Sequence, residues 1–89
     1  MVRIVLTPQL QRFTETPEVE AIAATLRDAL EASFAANPQL RGYVLDEQGH
    51  LRKHVAIFID GQMLRDRQNL SVSLTPDSEV YVLQALSGG

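Results

Sequence analysis

Apolar and polar residues alternate from the first position. Val2, Ile4 and Leu6 fall on one side of an extended run and Arg3 and Val5 on the other, the period of a strand with one face in a core. Thr7-Pro8-Gln9 breaks the run, and Leu10 to Phe13 is predicted to return as a short second strand, because the break is of hairpin length. The period then lengthens. From Glu18 to Ala36 the positions Val19, Ile22, Ala23, Leu26, Leu30, Ser33 and Phe34 follow the i, i+3, i+4 stripe of an amphipathic helix of about five turns. Thr16 is the predicted N-cap, with Pro17 at the first helical position, where its missing N–H is no loss. Glu18 and Glu20 suit the positive end of the helix dipole, and Asn37-Pro38 ends the element.

Tyr43-Val44-Leu45 is predicted to be extended, leading through the turn residues Asp46-Glu47-Gln48-Gly49 toward the next strand. That strand, Val55 to Ile59, is apolar on both faces and rich in β-branched residues, so both faces are expected to be at least partly covered. Asp60-Gly61 is a tight-turn signal. Leu64, Leu70, Val72 and Leu74 anchor the polar stretch that follows, and Pro76-Asp77-Ser78 turns into a last strand, Glu79 to Leu86. There Val80 and Val82 face one way and Tyr81, Leu83 and Ala85 the other. One helix cannot bury its stripe alone, and one mixed sheet cannot solvate an apolar face. The order β-β-α-β-β therefore predicts an α+β domain of two layers, with the helix laid across the sheet.

Eighty-nine residues allow one domain, and 45% hydrophobic with 21% charged residues is the composition of a globular chain. There is no cysteine, which excludes disulfides, thiolate metal sites and a nucleophilic thiol, and fits a reducing compartment such as the cytoplasm. No apolar run is long enough to span a bilayer, so no membrane role is expected. A net charge of −3 gives no footprint for a phosphate backbone despite the local cluster Arg52-Lys53-His54, and nucleic acid is not an expected partner.

Catalytic constellations are scarce. His50 and His54 stand four apart, but in a turn-to-strand region where that spacing does not present two ligands together, so they are read as solvated imidazoles and no metal is expected. Asp46/Glu47 and Asp77/Glu79 lie at turns, where carboxylates bond nearby backbone. The final stretch QALSGG is different. Residues 1–86 are expected to form the domain and 87–89 a flexible tail whose reactive group is the Gly89 carboxylate. Glycine has no Cβ to obstruct close approach, so a Gly-Gly tail suits entry into a narrow channel while the folded body docks outside. A frayed end without function is the competing reading of the same two residues.

The stretch LTPDSEVYVLQALSGG resembles the C-terminal signature of the MoaD/ThiS family of sulfur-carrier proteins, with Leu74, Glu79, Val80, Gly88 and Gly89 in matching places. VAIFIDG followed by Arg65 is similar to the family's central strand and turn, and VRIVLT and the helix also fit. The longer connection NPQLRGYVLDEQGHLRKH looks closer to the branch serving cysteine synthesis or sulfur-containing secondary metabolites.

The resemblance implies a ubiquitin-like β-grasp fold, a mixed sheet with one main helix across one face. It also implies a mechanism. A ubiquitin-activating-like adenylating enzyme would use ATP and magnesium to activate the Gly89 carboxylate. A sulfur donor such as a rhodanese or cysteine desulfurase would convert it to a thiocarboxylate, and an acceptor synthase would consume the sulfur. The chain would be a monomeric carrier rather than an enzyme, with no cofactor of its own. Leu86, Ser87 and Gly88 would occupy the partner's channel, and Phe58, Leu83 and Arg65 would serve docking. For Phe58 and Leu83 membership of the core is the alternative, and the exposure of Phe58 separates the two. Two other functions fit the same tail: a ubiquitin-like modifier conjugated to lysines, and a non-catalytic β-grasp interaction module.

Overall fold

The computed structural model describes residues 1–6, 18–66 and 68–84. In chain order the elements are β1 (Val2–Leu6), β2 (Glu18–Ala21), α1 (Leu26–Ala36), α2 (Leu40–Val44), β3 (Val55–Ile59), β4 (Gln62–Met63) and β5 (Glu79–Gln84). The strands form one mixed sheet in the order β2-β1-β5-β3-β4. Strands β1 and β5 run parallel at its centre, and the remaining pairs are antiparallel.

Alternation sorts each strand into two faces. Val2, Ile4 and Leu6 of β1, Val80 and Val82 of β5, and Val55 and Ile57 of β3 are buried in one core. Leu26, Ala29, Leu30 and Phe34 of α1 enter that core from above the sheet, and Leu40 and Val44 bring α2 into it. The α+β two-layer architecture expected from the sequence is the one observed.

Three local expectations are corrected. The helix does not begin at Glu18: Glu18–Ala21 is a strand in which Val19 pairs with Ile4 and Ala21 with Val2. Ile22, placed on the helical stripe, is 91% exposed. The helix starts after Thr25, whose hydroxyl accepts from the Asp28 N–H at 3.3 Å. Second, Tyr43 and Val44 are helical rather than extended, because Leu40 and Val44, one helical turn apart, both reach the core. Third, His54 is not a solvated imidazole. Its ring packs edge-on against Tyr43 with centroids 4.7 Å apart, and its Nε2 is buried. The predicted strand Leu10 to Phe13, the predicted cap Thr16-Pro17 and the continuation of the last strand through Ala85 and Leu86 lie outside the described residues.

The two ends of β5 are anchored differently. At its start, the Asp60 carboxylate accepts from the Glu79 N–H at 2.9 Å, and the Asp60 N–H donates to the Glu79 carbonyl at 3.0 Å. The Asp60-Gly61 turn, with both residues at positive φ, thus ties the β3–β4 hairpin to the last strand. Buried Ser78 closes the preceding turn: its hydroxyl accepts from the Thr75 N–H at 2.9 Å and its own N–H donates to the Thr75 carbonyl at 3.0 Å. At the other end, Gln84 stands opposite Val55, the first residue of β3.

Candidate functional site

The face of the sheet turned away from α1 is built from the alternate residues of the same strands. Register places Val5 beside Tyr81, Tyr81 beside Phe58, and Phe58 beside Met63, a row that crosses β1, β5, β3 and β4. Ala56 and Leu83 pair in the next row toward the end of β5. Phe58 and Leu83 are half-buried, Tyr81 is 36% exposed and Met63 62% exposed. Phe58 is therefore not a core residue packed under the helix. It shares an accessible apolar face with Leu83, as alternation required.

This face has a charged margin. Arg3 forms ion pairs with Glu18 on β2 and, at 2.8 Å, with Glu79 on β5. The pairs hold the Arg3 guanidinium pKa above its ordinary value, chiefly through the hydrogen bond to Glu18. Arg65 lies elsewhere. It is exposed and lines an open cavity of about 900 Å³ with Asp60, Gln62, Leu64, Val72 and Ser73, which meets the apolar row only at Met63. The sequence reading offered only Phe58, Leu83 and Arg65 for docking; that Val5 and Met63 fall in one row with Tyr81 and Phe58 depends on which strands are neighbours, which alternation within one strand does not reveal.

Leu86, Ser87, Gly88 and Gly89 lie outside the described residues. The last described residue is Gln84, at the end of β5, a central strand paired on both sides. Among the described residues no three His, Asp or Glu side chains group as a metal site. His50 and His54 both line a cavity with Asp46. No described helix is long and apolar enough to cross a membrane.

The model of the ThiS family matches residues 4–89, nearly the whole chain and the terminal Gly-Gly with it. The chain belongs to the ThiS family. Comparison with curated proteins gives no match. Among solved structures, SAMP1 from Haloferax volcanii is 24% identical, with a TM-score of 0.82 over 99% of this chain and 98% of that one. The Amycolatopsis orientalis BexX/CysO complex gives 18% identity and a TM-score of 0.84, with 100% of both chains covered. Mycobacterium tuberculosis CysO gives 20% and 0.81, over 97% of this chain and 100% of that one. At these identities the likeness is one of fold, and it establishes the ubiquitin-like β-grasp expected from the resemblance. The chain is a ThiS-family protein with the fold of small sulfur carriers and modifiers.

Proposed function

We propose that this protein carries sulfur as a thiocarboxylate on Gly89. The observation that carries the reading is the ThiS-family match running through Gly88 and Gly89. In the proposed cycle a carboxylate oxygen of Gly89 attacks the α-phosphorus of magnesium-bound ATP in an adenylating partner, and pyrophosphate leaves. A hydrosulfide equivalent from a sulfur donor attacks the carbonyl carbon of the acyl-adenylate, and AMP leaves with the bonding pair. The thiocarboxylate then gives its sulfur to an acceptor held in a synthase. ATP and magnesium belong to the partner, and the chain is a co-substrate rather than a catalyst. That it works in the cytoplasm is part of the same proposal.

The division of labour has physical support. A central strand anchored along both edges holds Gln84, five residues before the C-terminal carboxylate, in place. Glycine at the last two positions offers no side chain to the walls of a partner's channel. The apolar row through Tyr81 and Phe58 supplies a docking face of the kind that loses water on association. Leu83 belongs to this face, and Arg65 borders it from the neighbouring cavity.

Intact mass of the untagged protein from its own cells tests the proposal. A species heavier by one sulfur-for-oxygen exchange, and lost on deleting Gly89, is expected. No such species, together with no modification by an adenylating enzyme supplied with ATP and sulfide, would overturn it. A second reading is favoured by the fold shared with the small archaeal modifier protein 1 structures: attack on the same acyl-adenylate by a lysine amine of a target protein. Its signature is an isopeptide adduct absent from cells carrying the truncated form.

A further inference from the structure

Two stretches of backbone border the cavity of about 900 Å³ that Arg65 lines, and neither is fully bonded. Strand β4 is an edge of the sheet. The Leu64 N–H donates to the Ile57 carbonyl at 2.8 Å, so Phe58 and Met63 form the non-hydrogen-bonded pair of that ladder, and the Met63 N–H and C=O turn outward from β3. Ser73 is placed alike on the other stretch. It forms an isolated antiparallel bridge with Thr25, flanked by bonds from the Leu26 N–H to the Val72 carbonyl at 2.9 Å and from the Leu74 N–H to the Ala24 carbonyl at 2.8 Å. That pattern again leaves the bridging pair itself unbonded, and the Ser73 N–H and C=O point away from Thr25. Among the described residues no hydrogen bond engages these four groups. Met63 and Ser73 both line the cavity.

A cavity edged by two unpaired backbone stretches selects its occupant by backbone chemistry. Such groups are matched by another extended chain, which offers N–H and C=O on both of its edges, and not by a helix, whose backbone groups are bonded to one another. Side chains narrow the choice. Met63 is 62% and Val72 37% exposed, so apolar side chains of an entering strand find cover there, beside Leu64 and Ile59. The Asp60 carboxylate already accepts from the Glu79 N–H, and that of Asp66, next to Arg65 in the chain, accepts from the N–H groups of Gln68 and Asn69. Arg65 is exposed and has no ion pair among the described residues, which leaves its planar guanidinium to a carboxylate. Ile59 pairs with Val80, so the slot lies toward the start of β5, at the other end from Gln84.

We propose that this slot binds an extended segment of a partner protein, which adds a strand between β4 and Ser73, sets alternate apolar side chains on Met63 and Val72, and brings an acidic side chain to Arg65. The site does not depend on sulfur carriage. The test uses the full-length, isotopically labelled protein and a library of acetylated hexapeptide amides with valine, isoleucine or threonine at alternate positions and glutamate or lysine at one end. Glutamate-bearing members are expected to bind and to slow solvent exchange of the Met63 and Ser73 N–H groups about tenfold or more. Met63→Pro removes one donor of the slot at an edge position, where proline leaves the β3–β4 ladder intact, and should weaken binding about tenfold with the melting temperature nearly unchanged. Met63→Ala keeps the donor and should weaken binding less. Equal binding by these two variants would overturn the slot in favour of a side-chain contact. So would the absence of any binder, preference for lysine over glutamate, or protection confined to the outer row of Val5, Tyr81 and Phe58. Protection of the same two N–H groups without peptide, rising with protein concentration, would assign the edge to a second copy of the chain and also overturn the proposal.

Discussion

Leu70 sits at φ +56°, a backbone region that ordinary side chains avoid, yet its side chain is fully buried. Its carbonyl accepts from the Arg27 N–H at 2.9 Å, and the Arg27 side chain reaches on to the carbonyls of Gln68, Asn69 and Gly49 at 3.1–3.2 Å. Core burial and this clamp together hold the strained residue. Leu70→Ala should cost about 2–4 kcal/mol by emptying a core position. Leu70→Gly, which relieves the left-handed strain of about 1 kcal/mol, should be no worse, the reverse of the usual order. Urea unfolding of the two variants decides; a markedly less stable glycine variant would show that the strain is absent.

Two carboxylates at the same scale set an acid limit. Asp46 accepts backbone N–H bonds from His50 and Gln48, and Asp66 from Asn69 and Gln68, and these bonds depress both pKa values. A depressed folded pKa contributes stability that is present above the unfolded value of about 3.9 and lost as pH falls through the folded value. Melting temperature should therefore decline below about pH 4. In Asp46→Asn, which retains an acceptor but cannot titrate, the decline should be shallower. An unchanged acid slope in that variant would show that Asp46 contributes nothing to it.

At the scale of elements, the main strands and the helical stripe were legible, but the boundary between β2 and α1 was not. Val19, Ile22 and Ala23 happen to continue the helical spacing of Leu26, Leu30 and Phe34. The competing period-two pattern Glu18-Val19-Glu20-Ala21 wins because β1 supplies its hydrogen-bond partners. That partner lies far away in sequence, so no local window contains it. Tyr43 and Val44 were misread for a related reason: five residues are too few to show a period, and Leu40 and Val44 become helical through the core they share. The true helix start is testable. Thr25→Ala removes the hydroxyl that caps the Asp28 N–H and should cost about 1 kcal/mol. No loss of stability would show that the cap is made by backbone alone.

For the whole molecule, the same strands hold the core with one face and, under the proposed function, meet a partner with the other. Alternation within β5 was enough to put Tyr81 and Leu83 opposite Val80 and Val82, but it left Phe58 and Leu83 between the core and the outer face, which their partial exposure separates. The row through Val5, Tyr81, Phe58 and Met63 needed the strand order, and Arg65 lines the neighbouring cavity. The separation of faces predicts opposite phenotypes for adjacent residues. Ile57→Ala removes a fully buried side chain and should cost about 2–4 kcal/mol, lowering the melting temperature while leaving the KM for the adenylating partner unchanged in the fraction that stays folded. Phe58→Asp, one residue on, places a charge on the outer apolar row, where it is half-exposed and need not enter the core. It should raise that KM by about tenfold or more while shifting the melting temperature little, because an unpaired charge inside a dry contact costs far more than one facing water. Should Phe58→Asp unfold the protein as Ile57→Ala weakens it, the outer row is a second core rather than a docking face. Docking would then have to fall to the tail alone.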